Sequence, residues 1–120
     1  MRICVTAETG EGMSAPRCSH FGRTPYFAFI DVAPDNTLTF VKAVKNDAHE
    51  KGHGAIVDLI KDNGADAIVI ANIGAPMLEN LKQAGLATYQ NKEETTVEGA
   101  ARAFAECRVT AAQGHAGCSH

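Results

Sequence analysis

Cysteine and histidine side chains occur close together at several points in this chain, and the first group is Cys18-Ser19-His20. Residues two apart in an extended segment point to the same side, so one metal could take both the thiolate and the imidazole. The following Phe21-Gly22-Arg23 adds an apolar wall, a flexible joint and a cation that an anionic cluster would favour. On spacing alone, a loop with an incidental cysteine and a solvent-facing histidine explains this group equally well.

A second group is His49 and His53, which precedes Gly54 at the start of a helical pattern. If the helix begins early, the two imidazoles lie four residues apart on one face. If it begins at His53, that imidazole lies beside the free N–H groups of a helix N-terminus, which attract anions. The glycine leaves the backbone open to close approach. We predict a binding role for His53 and Gly54, whereas a polar residue facing water explains His49 as well.

The last six residues form a third group, in which Cys118 and His120 repeat the Cys-Ser-His order. Ligands this close together can wrap a soft metal without a pre-formed scaffold. Both residues are therefore candidate ligands, and the alternative is a disordered end whose affinity for metals is accidental. Cys4 lies in an apolar run and Cys107 ends a predicted helix, so packing is the better explanation for these two cysteines.

A strand-to-helix turn at residues 72–76 supplies a fourth candidate, Gly74. Ligands in open α/β sheets bind beyond the carboxyl ends of strands, where the next helix offers free N–H groups. Pro76 removes one of these groups, and no lysine of a phosphate-binding loop is present. Efficient packing of the turn explains the motif nearly as well.

The hydrophobic pattern predicts the elements that must position these residues, in the order β-β-β-α-β-α-β-α. An antiparallel hairpin followed by right-handed αβ units gives a mixed five-stranded sheet with helices on both faces, a three-layer α/β/α fold. Residues 1–108 are predicted to form one domain, and 109–120 a flexible tail. The strands are predicted at 2–6, 26–32, 37–44, 66–71 and 86–89, and the helices at 53–63, 74–85 and 95–107.

Composition excludes several classes of function. The net charge is -3 and no segment concentrates Lys and Arg, so nucleic acid is not an expected partner. No apolar run is long enough to span a bilayer, and the first residues do not resemble a signal peptide, so we expect a soluble cytoplasmic protein. In that compartment the 4 cysteines are reduced and available to metals.

Taken together, these motifs resemble the dinitrogenase iron–molybdenum cofactor family, which includes NifX, NafY and the C-terminal domain of NifB. The match spans residues 1 to about 105, and its most specific part is the His-Phe-Gly-Arg segment. The segments that carry the resemblance are Met1-Arg2-Ile3, Ser19-His20-Phe21-Gly22-Arg23, Tyr26-Phe27-Ala28-Phe29, His53-Gly54-Ala55, Gly64-Ala65-Asp66, Ile73-Gly74 and Ala84-Gly85-Leu86.

The resemblance implies a ribonuclease H-like α/β/α fold and non-covalent binding or carriage of a metal–sulfur cluster of iron–sulfur, iron–molybdenum or molybdenum–copper type. The orange protein of sulfate reducers, one relative, holds a mixed molybdenum–copper sulfide cluster. The family's cluster-binding histidine corresponds to His20. Cys18 and the Cys/His tail depart from the usual family pattern, and both departures add soft ligands.

We therefore expect an accessory protein of metallocluster biosynthesis, whose partners are a metallocluster and a cluster donor or acceptor protein. A mononuclear Zn²⁺ or Fe²⁺ site with a regulatory or structural role is the alternative. The predicted metal ligands are Cys18, His20, His53, Cys118 and His120, and the further cofactor contacts are Phe21, Gly22, Arg23, Gly54 and Gly74.

An enzyme is not expected. Nucleases need clustered carboxylates for two metal ions, and the first strand, residues 2–6, contains no acidic residue. Thiol redox chemistry favours a Cys-x-x-Cys pair, which the sequence lacks.

Overall fold

The computed structural model describes residues 1–19, 21, 24–46 and 53–111. Within these residues every predicted element is present, with limits that differ from the predicted ones by at most about two residues. In chain order they are β1 (Arg2–Ala7), β2 (Tyr26–Val32), β3 (Leu38–Lys45), α1 (His53–Asp62), β4 (Ala67–Ile70), α2 (Ala75–Gln83), β5 (Ala87–Gln90), α3 (Val97–Ala105) and β6 (Thr110–Ala111).

The strands form one mixed sheet in the order β3-β2-β1-β4-β5-β6. β1 pairs antiparallel with β2 and parallel with β4, and β4 pairs parallel with β5. The predicted mixed sheet of five strands is confirmed, and the short β6 adds an antiparallel pair beside β5. β6 lies inside the segment predicted as a tail, and the remainder of that segment, 112–120, lies outside the described residues. The ribonuclease H-like label stays a prediction.

Alternating residues of β1 face two different apolar layers. Ile3 and Val5 pack in the cluster that contains the buried side of α3. Cys4 points to the other face, in a cluster with Phe27, Phe29 and the buried sides of α1 and α2. The sheet is therefore covered on both faces, which confirms the predicted three-layer α/β/α arrangement. Among the described helices, none is long and apolar enough to cross a membrane.

The two helices on one face, α1 and α2, run in the same direction. Arg2, at the start of β1, donates from Nη1 to the carbonyl oxygen of Asn63, just after α1, at 3.1 Å. Lys61, in the last turn of α1, donates from Nζ to the carbonyl oxygen of Ala84, just after α2, at 3.2 Å. Both helices thus end near the amino end of β1, and both begin at the opposite edge, where β1 and β4 end.

All three helices end on a residue with positive φ, which lets the following amide groups bond back to the last turn. After α1 and α2 this residue is Gly64 or Gly85, with φ of 81° and 80°. After α3 it is Cys107, with φ of 61°. An L side chain in this conformation costs about 1–2 kcal/mol, so α3 ends at an energetic cost that the other two helices avoid.

We expect Cys107→Gly to raise the free energy of unfolding by about 0.5–1 kcal/mol, because glycine adopts positive φ without strain. Gly85→Ala is the matched reverse substitution, and it should lower that free energy by about 1 kcal/mol. A Cβ added at position 85 meets no atom within 4 Å, so backbone strain alone decides the result. Urea denaturation of both variants measures this, and a destabilised C107G would contradict it.

One buried side chain in the sheet lacks a hydrogen-bond partner among the described residues. Thr88, on β5, is 1% exposed, and its hydroxyl has no partner there. Thr6, on β1, is equally buried, but its hydroxyl donates to the carbonyl oxygen of Cys18 at 2.7 Å. A buried polar group without a partner costs free energy, whereas a bonded one repays its desolvation.

The same substitution at these two threonines should therefore have opposite effects. We expect Thr88→Val to raise the free energy of unfolding by about 1 kcal/mol and Thr6→Val to lower it by about 1–2 kcal/mol. Chemical denaturation followed by circular dichroism compares the two variants. Equal destabilisation by both would show that Thr88 has a partner or a packing role.

Candidate functional site

The long loop after β1 is closed at its base by a buried threonine. The hydroxyl oxygen of Thr24 lies 3.1 Å from the amide nitrogen of Ala7, whose proton it accepts, and 3.0 Å from the carbonyl oxygen of Ala7. Asn46 donates from Nδ2 to the carbonyl oxygen of Thr24 at 2.9 Å. These contacts fix both ends of the loop against the sheet. Neither Thr24 nor Asn46 belongs to a recognisable sequence motif, so neither could be predicted as a site-positioning residue.

The loop returns to the end of β1 at Cys18. Arg17 forms an antiparallel bridge with Ala7, and the amide of Cys18 donates to the carbonyl oxygen of Thr6 at 3.3 Å. The Thr6 hydroxyl binds the Cys18 carbonyl in turn. The Cys18 side chain is 6% exposed. The sheet therefore determines where this thiol lies.

The next residues cross to the end of β4. Asn72, just after β4, donates its amide N–H to the carbonyl oxygen of Ser19 at 3.2 Å and accepts from the amide of Phe21 at 3.3 Å. The Phe21 ring is buried and lies 5.7 Å from the ring of Phe27, centroid to centroid. It shares an apolar cluster with Ile56 in the first half of α1. Cys18 is thus bonded near the carboxyl end of β1, and Ser19 and Phe21 are bonded to the residue just beyond β4, its parallel neighbour.

Two helix N-termini lie at this same edge. The N-cap of α2 is Gly74, with φ of -75° and ψ of 150°, and having no side chain it makes no capping bond. A Cβ added there would meet only the Pro76 ring, at 3.9 Å, so the approach is open. The first-turn N–H groups of Ala75 and Met77 lack intrahelical partners, as at any helix start, and they favour an anionic group. The backbone of α1 begins nearby, at His53.

The first half of the loop contacts the opposite helix layer. The amides of Val97 and Glu98, in the first turn of α3, donate to the carbonyl oxygens of Ala15 and Met13 at 3.0 and 2.9 Å. The Thr96 side chain accepts from the amide of Gly99 at 3.0 Å and so caps the N-terminus of α3. The loop therefore connects α3 to the edge where α1 and α2 begin.

Arg17 is a buried cation that sequence reasoning missed. Its side chain is 8% exposed, and Nη1 donates to the carbonyl oxygens of Asn91 and Glu94. Nε and Nη2 have no partner among the described residues. Burial lowers the pKa of the guanidinium to about 10, and the charge of Glu94 acts in the opposite direction. Arg17 thus stays charged at neutral pH. The sequence feature that could have drawn attention to Arg17 is its position next to Cys18.

We call Cys18, Phe21, Asn72, Gly74 and the start of α1 the candidate site, because the contacts above bring them to one edge of the sheet. The ligand roles themselves stay predictions. Among the described residues, no three His, Cys, Asp or Glu side chains are grouped as a metal ion requires. The structure describes His53 and Gly54 only as helix positions, and the predicted residues outside its description are His20, Gly22, Arg23, His49, Cys118 and His120.

The other cysteines of the described chain lie apart from this site. Cys4 is fully buried in the sheet, and burial raises the pKa of its thiol. It has the character of the small buried hydrophobe that its apolar neighbours predict. Cys107 lies after α3 and is half-buried. A cleft of about 410 Å³ at the amino end of β1, lined by Arg2 and Asp31 among others, contains none of the predicted site residues.

Solved structures with the same fold come from bacteria and archaea. The apo form of the orange protein from Desulfovibrio gigas has a TM-score of 0.75 and 28% identity, over 98% of this chain and 96% of that one. A NifB-like protein from Thermotoga has a TM-score of 0.68 and 28% identity, over 90% of each chain. A dinitrogenase-like protein from Methanocaldococcus jannaschii has a TM-score of 0.66 and 20% identity, over 92% and 93%, which shows the fold alone.

A comparison with curated proteins finds no match. The family profile described as dinitrogenase iron-molybdenum cofactor matches residues 1–106, nearly the whole chain. It covers both helix layers, the loop that carries Cys18 and the turn at Gly74. The chain therefore belongs to the dinitrogenase iron–molybdenum cofactor family.

Proposed function

We propose that this protein binds and carries a metal–sulfur cluster as an accessory protein in metallocluster biosynthesis. The observation that supports this most is the set of backbone bonds that holds Cys18 at the carboxyl end of β1 and Ser19 and Phe21 just beyond the end of β4. Membership of a family of cofactor-binding accessory proteins relates the chain to the dinitrogenase cofactor. The cluster is cargo in this proposal, received from a donor protein and passed to an acceptor, and no turnover is assigned.

The donor types at the candidate site suit such a cargo. A cysteine thiolate is a soft ligand for iron, copper and molybdenum. Ser19 and Phe21 are the chain neighbours of His20, and both bond to Asn72, which supports His20 as the second ligand beside Cys18. The residues proposed to complete the ligand set are His53, Cys118 and His120.

The surroundings also fit a group larger than a single ion. Gly74 presents no side chain, and the N–H groups of Ala75 and Met77 can bond to sulfide without displacing a cap. Phe21 closes the apolar side of the site. The proposed remaining contacts are Gly22 and Gly54, which allow close approach, and Arg23, which offsets cluster charge.

Removal of the Cys18 thiol tests the ligand assignment. After anaerobic reconstitution with iron, molybdate, copper and sulfide, the wild type should show visible absorption and retain metal and sulfide through gel filtration. Cys18→Ser should lose most of both, because a hydroxyl is a poor ligand for soft metals. Cys107→Ser, which removes a thiol remote from the site, is the matched control and should bind as the wild type does.

Elemental analysis of the reconstituted protein separates the two kinds of site. Several metals together with inorganic sulfide support a cluster, whereas one Zn²⁺ or Fe²⁺ without sulfide would favour the mononuclear alternative. A wild type that binds nothing, or a C18S variant that binds as well as the wild type, would refute the proposal.

A serine at position 74 should separate binding from stability. Serine is a preferred N-cap residue, and its hydroxyl would accept the N–H of Met77 and stabilise α2 by a few tenths of a kcal/mol or more. The same bond occupies a donor that the cluster is proposed to use, so cluster affinity should fall by about tenfold. Thermal unfolding and a binding titration of Gly74→Ser measure both effects, and an unchanged affinity would exclude this donor.

A further inference from the structure

We propose that Arg17 makes the candidate site select a cargo of net negative charge over a metal cation. This inference rests on the proposed function and names the charge class of its cargo. In this proposal Arg17 is a buried positive charge in the long loop after β1. Its role is separate from that of the neighbouring Cys18 thiol, which is the proposed ligand.

Hydrogen bonds place the Arg17 side chain at the edge that carries the candidate site. The amide of Asn91, after β5, donates to the carbonyl oxygen of Ile70, the last residue of β4, at 2.9 Å. The Asn91 carbonyl accepts from Nη1 of Arg17. Asn72, which binds Ser19 and Phe21, is two residues beyond Ile70 along the chain. The Arg17 guanidinium therefore lies by the carboxyl ends of β4 and β5, at the edge of the sheet that carries the candidate site.

The charge of Arg17 has no dedicated ion pair among the described residues. Its described acceptors are the neutral carbonyl oxygens of Asn91 and Glu94. The Glu94 carboxylate acts on it electrostatically, but Oε2 of that group is bound by Nη1 of Arg108 at 2.9 Å. Nε and Nη2 of Arg17 are left as buried donors. A buried water could satisfy these donors, and a neutral water would add no negative charge beside Arg17.

A charge in a weakly polarisable interior acts over a longer range than one on the surface, and Arg17 shares its one described acidic neighbour, Glu94, with Arg108. The positive charge of Arg17 would strengthen the binding of a metal–sulfur anion beside Cys18. It would weaken the binding of a divalent cation at the same ligands. Arg17 is therefore expected to make the site bind anions in preference to cations.

Two probes of opposite charge test this, the tetrathiomolybdate dianion and Zn²⁺. Arg17→Met should weaken binding of tetrathiomolybdate by about tenfold or more, while Zn²⁺ affinity stays the same or rises. Arg17→Lys retains the charge and should restore most of the tetrathiomolybdate affinity. A merely structural role would lower both affinities together. Arg102→Met removes an exposed arginine of α3 and should change neither affinity by more than about twofold.

The outcomes separate the inference from the proposed function. If the wild type binds tetrathiomolybdate and R17M binds it equally well, charge selection by Arg17 is wrong and cluster carriage stands. If the wild type binds no metal–sulfur anion, the proposed function fails. Should R17M not fold, the wild type must bind the trianion tetrathiovanadate, of the same shape, more tightly than the dianion, and equal or weaker binding overturns the inference.

Discussion

The candidate site depends on one residue, Asn72, whose backbone both donates to and accepts from the long loop after β1. Its N–H binds Ser19 and its carbonyl binds Phe21, so the loop continues the sheet beyond the end of β4. A parallel pair of strands leaves such backbone groups free at its carboxyl end, because the chain must turn away into a helix. The loop satisfies them through Ser19 and Phe21.

Burial and charge are divided between the two sides of this loop. Phe21 enters the apolar layer under α1 and α2, while Arg17 extends toward the loop that precedes α3. The buried Phe21 ring fixes the position of the loop and favours neither an anion nor a cation at the site. The cation is costly to bury without a full set of partners, which is the reason a role in charge selection is proposed for it.

The layers and the mixed five-stranded sheet could be predicted from the sequence, because the hydrophobic period of each strand and helix is a local signal. Gly64 and Gly85 follow two of the helical patterns, and glycine in that position is a sequence signal for a helix end because it adopts positive φ without strain. Cys107 could not mark the third, since nothing in its type favours positive φ. Arg17 was missed because a cation in a polar loop normally faces water, and its acceptor Asn91 is 74 residues away in sequence.

The carbonyl oxygens of Met13 and Ala15 accept hydrogen bonds from first-turn N–H groups of α3 that have no acceptor within the helix. Loop and helix therefore belong to one cooperative unit, and neither can detach without exposing the other. Opening the loop would therefore leave these first-turn N–H groups of α3 without acceptors and would fray the start of that helix.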